Sequence, residues 1–118
     1  MINRKQNIKI KSYLIDKLKE ENVFWSYEMS EKRLSNLSDE LLISLTIKYL
    51  DLDEINLLKE IYSIKTIKSA WIKYLIPERE YLHSLNRFIA WYVFNIKKPE
   101  TYLKSMETRS LNKFLKHA

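Results

Sequence analysis

Glycine and cysteine are absent from this 118-residue chain, and proline occurs only twice. Glycine provides the positive-φ turns and the close backbone approach that phosphate-binding loops need. Its absence excludes a Walker loop, a dinucleotide-binding fingerprint and a nucleophile elbow in their usual forms. The absence of cysteine excludes disulfides, thiolate catalysis and thiolate zinc sites. An apolar run long enough to cross a bilayer and the apolar core of a secretory signal are also missing, so we expect a cytoplasmic protein without membrane contact.

The residues that are present favour helices. Hydrophobic residues make up 46% of the chain, which is too apolar for a disordered basic tail. Leu, Ile, Lys and Glu are abundant, and the length suits one folded unit. We predict an all-α fold, a single compact domain of five to six helices over residues 1–118. Its expected parts are an N-terminal helix and aromatic loop (1–37), a helical core (38–103) and a basic C-terminal segment (104–118).

Local patterns place the first three helices. Apolar residues four apart within residues 7–20 predict an amphipathic helix, and the aromatic stretch that follows predicts an ordered loop. Ser38, with two acidic residues behind it, indicates the start of the second helix. Asp53 suits the N-cap of the third helix, which we expect to end near residue 62. Leu52 and Leu57 would then form a hydrophobic staple.

Proline marks the boundaries of the later helices. Pro77 should end a fourth helix, and Pro99 suits the first turn of a sixth. Between them, a fifth helix is expected over about residues 78–95. A change of face in the sixth helix predicts a break near residues 107–110. The expected core stripe of the fifth helix consists of Tyr81, Leu82, Leu85, Phe88, Ile89 and Tyr92.

The opposite face of the fifth helix carries His83, Arg87 and Trp91, spaced i, i+4 and i+8. Two interpretations are open. Exposed, the row would form a cationic and aromatic binding surface, since Arg and Trp dominate interface hot spots and stack on bases. Buried, it would pack under the terminal segment, and Arg87 would need Glu80 or Glu107 as a partner. We favour burial, because large aromatic side chains lie mostly inside proteins.

The positive charge is uneven along the chain. Residues 1–59 carry ten basic and ten acidic residues, whereas residues 60–118 carry eleven and five, which gives the whole net charge of +6. This surplus indicates an anionic partner, with lysines as phosphate contacts, although surface lysines also serve ordinary solvation. The candidate residues for binding a partner or nucleic acid are Lys65, Lys68, Lys73, His83, Arg87, Trp91, Lys97, Lys98, Arg109, Lys113 and Lys116.

Catalytic and metal sites are not expected. Glu80 and His83 have the i, i+3 spacing of half a di-iron site, but the second half and the further carboxylates are missing. Arg79 and His83 are one residue too close for the motif of small helical ribonucleases. We therefore predict no catalytic residue, no metal and no cofactor, and a protein that is not an enzyme.

Three stretches, FWSY at 24–27, LDLDEINLLKEIY at 50–62 and LNRFIAWYVFNIKKPETYL at 85–103, carry a resemblance. In order and spacing the chain resembles small helical proteins of Bacteroidetes that are encoded beside abortive-infection nucleotidyltransferase toxins. Asp51 stands where those proteins have Gly. The resemblance implies a protein that controls an effector by binding it, as an antitoxin does, and phage inhibitors of CRISPR nucleases are similar in size and charge. The alternative is a regulator that binds RNA or DNA directly.

Overall fold

A computed structural model describes residues 4–21, 37–78 and 81–116, with side chains as far as residue 109. Every regular element in these ranges is helical, so the prediction of an all-α fold with five to six helices is confirmed. Within them, no helix is both long and apolar enough to cross a membrane. The expected aromatic loop lies outside the described residues. The elements are α1 (Arg4–Glu20), α2 (Asp39–Tyr49), α3 (Leu52–Ile61), α4 (Ile64–Tyr74), a short 3-10 helix (Ile76–Glu78), α5 (His83–Tyr92) and α6 (Pro99–Lys116).

The chain forms two units, Met1–Tyr74 and Leu75–Ala118. In the first unit, α2 contacts α1, α3 and α4. The predicted apolar face of α1 is confirmed, since Leu14 and Leu18 are fully buried. Helix α2 buries Leu42, Ile43 and Ile47. Burial of each large aliphatic side chain stabilises the fold by about 1.5–3 kcal/mol.

The two predicted helix starts in this unit have different outcomes. Ser38 caps α2 as expected, because its Oγ accepts a hydrogen bond from the Leu41 N–H at 3.2 Å. The expectation that Asp53 caps α3 is wrong. The helix begins at Leu52, so Asp51 occupies the N-cap position and Asp53 lies in the first turn. Leu52 is then a helical residue, 40% exposed, and is not available for the predicted staple.

In the second unit α5 packs on α6. Helix α5 begins only at His83, because residues 76–78 form a 3-10 turn at Pro77. Its buried residues are Asn86, Ile89 and Ala90, followed by Val93 at the C-cap. The predicted core stripe is therefore wrong for Tyr81, 92% exposed, and Phe88, 39% exposed, whereas Ile89 is buried and Leu82, Leu85 and Tyr92 are half-buried. The amide of Asn86 donates to the Leu75 carbonyl at 3.1 Å, which satisfies a buried polar group and holds this face inward.

Both ends of the α5–α6 connection depend on single residues. Asn95 has φ 55°, a left-handed conformation that a chain without glycine can give most easily to Asn or Asp. Pro99 is the first residue of α6, as predicted.

The break expected near residues 107–110 is absent, and α6 continues to Lys116. The shift of apolar face misled the prediction, because such a shift changes what a helix contacts without interrupting its backbone hydrogen bonds.

Candidate functional site

The second face of α5 is exposed. Trp91 is 58% exposed, and His83 and Arg87 also face solvent. The favoured expectation of burial is therefore wrong. The physical reason is the position of the buried face: Asn86, Ile89 and Ala90 occupy it, and Trp91 lies on another side of the helix.

Three aromatic rings of α5 contact one another at this surface. Phe88 stacks on Tyr92 with ring centroids 5.3 Å apart and planes 8° from parallel. Trp91 is tilted against both, at 6.3 Å from Phe88 and 6.5 Å from Tyr92. We call Phe88, Trp91 and Tyr92 the aromatic patch. Two of its three members are exposed and Tyr92 is half-buried, so the rings present apolar surface to solvent.

Arg87 lies beside the patch in sequence and is held by α6. Its Nη1 is 2.8 Å from Oε1 of Glu100, in the first turn of that helix. The partners expected for a buried Arg87 were Glu80 and Glu107; Glu80 lies outside the described residues, and Glu100 makes this contact instead. Both side chains of the pair are more than half exposed. The pair therefore contributes little stability.

A basic rim adjoins this ion pair. Lys97 and Lys98 are exposed and directly precede α6. A shallow depression of about 370 Å³ is lined by Arg87, Lys98, Pro99, Glu100 and Thr101. The amino-terminal end of a helix carries partial positive charge, which adds to the two cations. Because Glu100 offsets the charge of Arg87, the positive charge available to an anion at this edge comes from Lys97 and Lys98.

His83 lies next to the depression that Arg87 lines, because its own cavity shares Glu100 and Thr101 with that depression. It lines a cavity of about 580 Å³ in the second unit, formed from the start of α5, the 3-10 helix and α6. The walls have both charges, from Lys104 and Glu107 among others. Among the described residues, no three His, Asp or Glu side chains are grouped as metal ligands would be. His83 and Arg87 thus border two adjoining depressions that share Glu100 and Thr101, and Trp91 is exposed on the same helix.

The predicted basic set is also divided. Lys65, Lys68 and Lys73 surround a shallow depression on α4, in the first unit. Lys73 is paired there with Glu40, at 3.1 Å, and this hydrogen bond raises the pKa of the lysine. In the second unit Arg109 is exposed on α6. Lys113 and Lys116 lie on the same helix, with side chains beyond those the structure describes.

Sequence reasoning missed three residues of the exposed surface. The sequence pattern predicts Phe88 and Tyr92 in the core and gives no signal for Glu100. Their spacing contained a usable signal, because aromatic residues at i and i+4 contact each other on any face of a helix. What sequence did not reveal was which face is buried.

No protein-family model matches this chain, and neither a curated protein nor a solved structure resembles it significantly. What the fold and this surface define is a small helical protein with an exposed aromatic patch beside a basic rim.

Proposed function

We propose that this chain is a non-enzymatic binding protein that docks α5 onto a partner protein and thereby inhibits or regulates it. The partner in this proposal is a bacterial effector that acts on nucleic acids or nucleotides, and the chain works as an antitoxin or a CRISPR inhibitor would. Its place of action is the cytoplasm. The observation that carries the proposal is the exposure of the aromatic patch next to Arg87.

Physical chemistry supports a protein interface at this surface. Exposed aromatic residues with an adjacent arginine have the composition of interface hot spots, where a few residues provide most of the binding energy. The patch lies on a helix, which holds the three rings in a fixed arrangement.

The test is capture of candidate nucleases and nucleotidyltransferases by immobilised protein, followed by an assay of their activity. We expect the wild type to retain and inhibit one effector. Trp91→Ala should lose both properties, because the most exposed ring of the patch is removed. Tyr49→Ala is the matched control, since Tyr49 is an aromatic residue of the first unit with 47% exposure. Equal inhibition by wild type and Trp91→Ala would refute this use of α5.

Direct binding of RNA or DNA is the second candidate function. It is favoured by the charge of the second unit, where residues 75–118 contain eight Lys/Arg and four Asp/Glu. Lys97 and Lys98 could contact phosphates. Binding to labelled RNA or DNA that falls steeply with salt, whatever the sequence, would support this candidate. Binding restricted to one protein partner, with a shallow salt dependence, would support the first.

A further inference from the structure

We infer that the aromatic patch and the basic rim together recognise an acidic protein segment that carries an apolar anchor residue. This inference rests on the proposed function and specifies the chemistry of the partner. The apolar anchor packs against Phe88, Trp91 and Tyr92. A carboxylate of the same segment lies over Lys98, in the basic rim.

The arrangement of the rings favours an apolar side chain over a nucleic-acid base. Phe88 and Tyr92 already cover one face of each other, with their planes 8° from parallel. Trp91 stands at 54° to Phe88 and at 47° to Tyr92. A stacking platform for successive bases needs ring faces that are open to them. Tilted rings instead form a contoured apolar surface, onto which a Leu, Phe or Trp side chain of a partner can pack.

Charge complementarity specifies the rest of the segment. Arg87 and Lys98 line the same depression at the start of α6, and Lys97 is exposed beside them. The surrounding unit has a net surplus of four positive charges. A second copy of this chain would bring the same surplus to the contact, so self-association through this surface is disfavoured. An acidic partner gains from the surplus in both association rate and specificity.

The carboxylate of Glu100 limits how the anion can be arranged. It lies 2.8 Å from Arg87, inside the same depression. A nucleic-acid strand brings a regular row of phosphates, some of which would lie over Glu100 and be repelled. A protein segment can place one carboxylate on Lys98 and its apolar residue on the rings. The anion and the anchor therefore belong to one short stretch of the partner.

A selection from a library of random short peptides displayed on phage tests the inference. The bait is the full chain, and the library is first depleted on Trp91→Ala. We expect the retained peptides to be enriched in Asp and Glu and to share an aromatic or leucine residue. A synthetic copy of the commonest peptide should then bind the wild type in a fluorescence anisotropy titration.

Variants of the chain locate the two contacts on that peptide. Trp91→Ala should weaken binding about thirtyfold, as hot-spot truncations do, and Lys98→Glu about tenfold or more, because a like charge replaces the attraction. Tyr49→Ala and Lys19→Glu, in the first unit, should leave the affinity unchanged. Replacing the peptide's acidic residues with Asn and Gln should have the same effect as Lys98→Glu.

Three outcomes would overturn the inference. The first is that the retained peptides are not enriched in Asp and Glu. The second is that no peptide is enriched above the background selected on Trp91→Ala. The third is that a labelled single-stranded RNA displaces the selected peptide and that its binding depends on Trp91 to the same extent. If the selected peptides are neutral or basic and their binding still depends on Trp91, only the acidic character of the partner is refuted. The proposed function would then stand, since its own test is the loss of effector inhibition in Trp91→Ala.

Discussion

At the scale of single residues, two tryptophans of the same chain occupy opposite environments. Trp71 is fully buried in α4, whereas Trp91 is 58% exposed in α5. Both follow apolar residues at helical spacing, so their sequence surroundings are alike. Only the fold separates a residue that holds the protein together from one that is available to a partner.

We predict opposite effects of truncating these two residues. Trp71→Ala should lower the free energy of unfolding by about 3–5 kcal/mol, as large core truncations do. Trp91→Ala should lower it by less than about 1 kcal/mol, because only contacts between exposed rings are lost. Urea denaturation of the two variants beside the wild type measures both values. A loss for Trp91→Ala as large as that for Trp71→Ala would mean that the aromatic patch is part of the core.

Asp39 is a second residue whose role depends on the fold. The Tyr62 hydroxyl donates to its Oδ1 at 2.6 Å, and Lys11 lies 3.1 Å from the same oxygen. The hydrogen bond from Tyr62 is the main cause that holds the pKa of Asp39 below its usual value, and Lys11 adds to it. Burial and the same hydrogen bond raise the pKa of the Tyr62 hydroxyl well above its usual value. Residues from α1, α2 and the C-cap of α3 therefore meet at one carboxylate.

The pH dependence of stability follows from these two pKa shifts. Because the pKa of Asp39 is lower in the folded state, its contribution is present above the pKa of the unfolded chain and is lost as the pH falls toward the folded value. The raised pKa of Tyr62 gives a contribution that is present at neutral pH and is lost above the ordinary pKa of tyrosine, about 10.

Tyr62→Phe should therefore weaken the loss of stability at both ends of the pH range. Melting temperatures measured from acidic to alkaline pH check this, with Asp16→Asn as a control for removing an exposed carboxylate of α1. A Tyr62→Phe profile parallel to that of the wild type would show that the Asp39–Tyr62 hydrogen bond has no thermodynamic effect.

At the scale of elements, the connection between α5 and α6 fixes the candidate surface. It turns through Asn95 in the left-handed region and reaches Pro99 within four residues. This turn brings Glu100 to Arg87 and places Lys98 at the same depression. The geometry of a short connection therefore decides which charges border the aromatic patch.

Asn95→Ala should destabilise the protein by about 1 kcal/mol. At positive φ, residues with a Cβ atom are disfavoured, and Asn and Asp are the least disfavoured of them. Asn95→Gly should be neutral or stabilising, since glycine has no such penalty. Thermal unfolding of the two variants distinguishes them. Equal melting temperatures for the Ala and Gly variants would contradict a left-handed conformation at this position.

At the scale of the whole molecule, the net charge of +6 divides between the two units. The candidate lysines are divided in the same way, with Lys65 and Lys68 on α4 and Lys97 and Lys98 before α6. The eleven candidate residues come from two sequence patterns, the row on α5 and the basic set. The structure places the basic residues in separate groups, and among the side chains it describes the group before α6 is the one next to the exposed aromatic rings.

Charge reversal tests which group binds. Lys97→Glu with Lys98→Glu should weaken capture of the partner at least about tenfold, since like charges then oppose an acidic surface. Lys65→Glu with Lys68→Glu should have little effect. Both pairs should retain the helical circular dichroism signal, because exposed substitutions change stability little. Equal losses for the two pairs would show that net charge, and not the α5 surface, governs binding.

The sequence by itself determined the helical class, most helix positions and the uneven charge. These features depend on local spacing, capping residues and composition, which act within a few residues of the chain. The Ser38 cap of α2 and the start of α6 at Pro99 are two examples that local sequence alone predicts correctly. Only tertiary structure decided which side of α5 is buried. The Asn86 amide reaches the Leu75 carbonyl, and this contact turns Phe88 and Trp91 outward. A helical repeat specifies how side chains are spaced around an axis, but burial depends on where the neighbouring backbone lies.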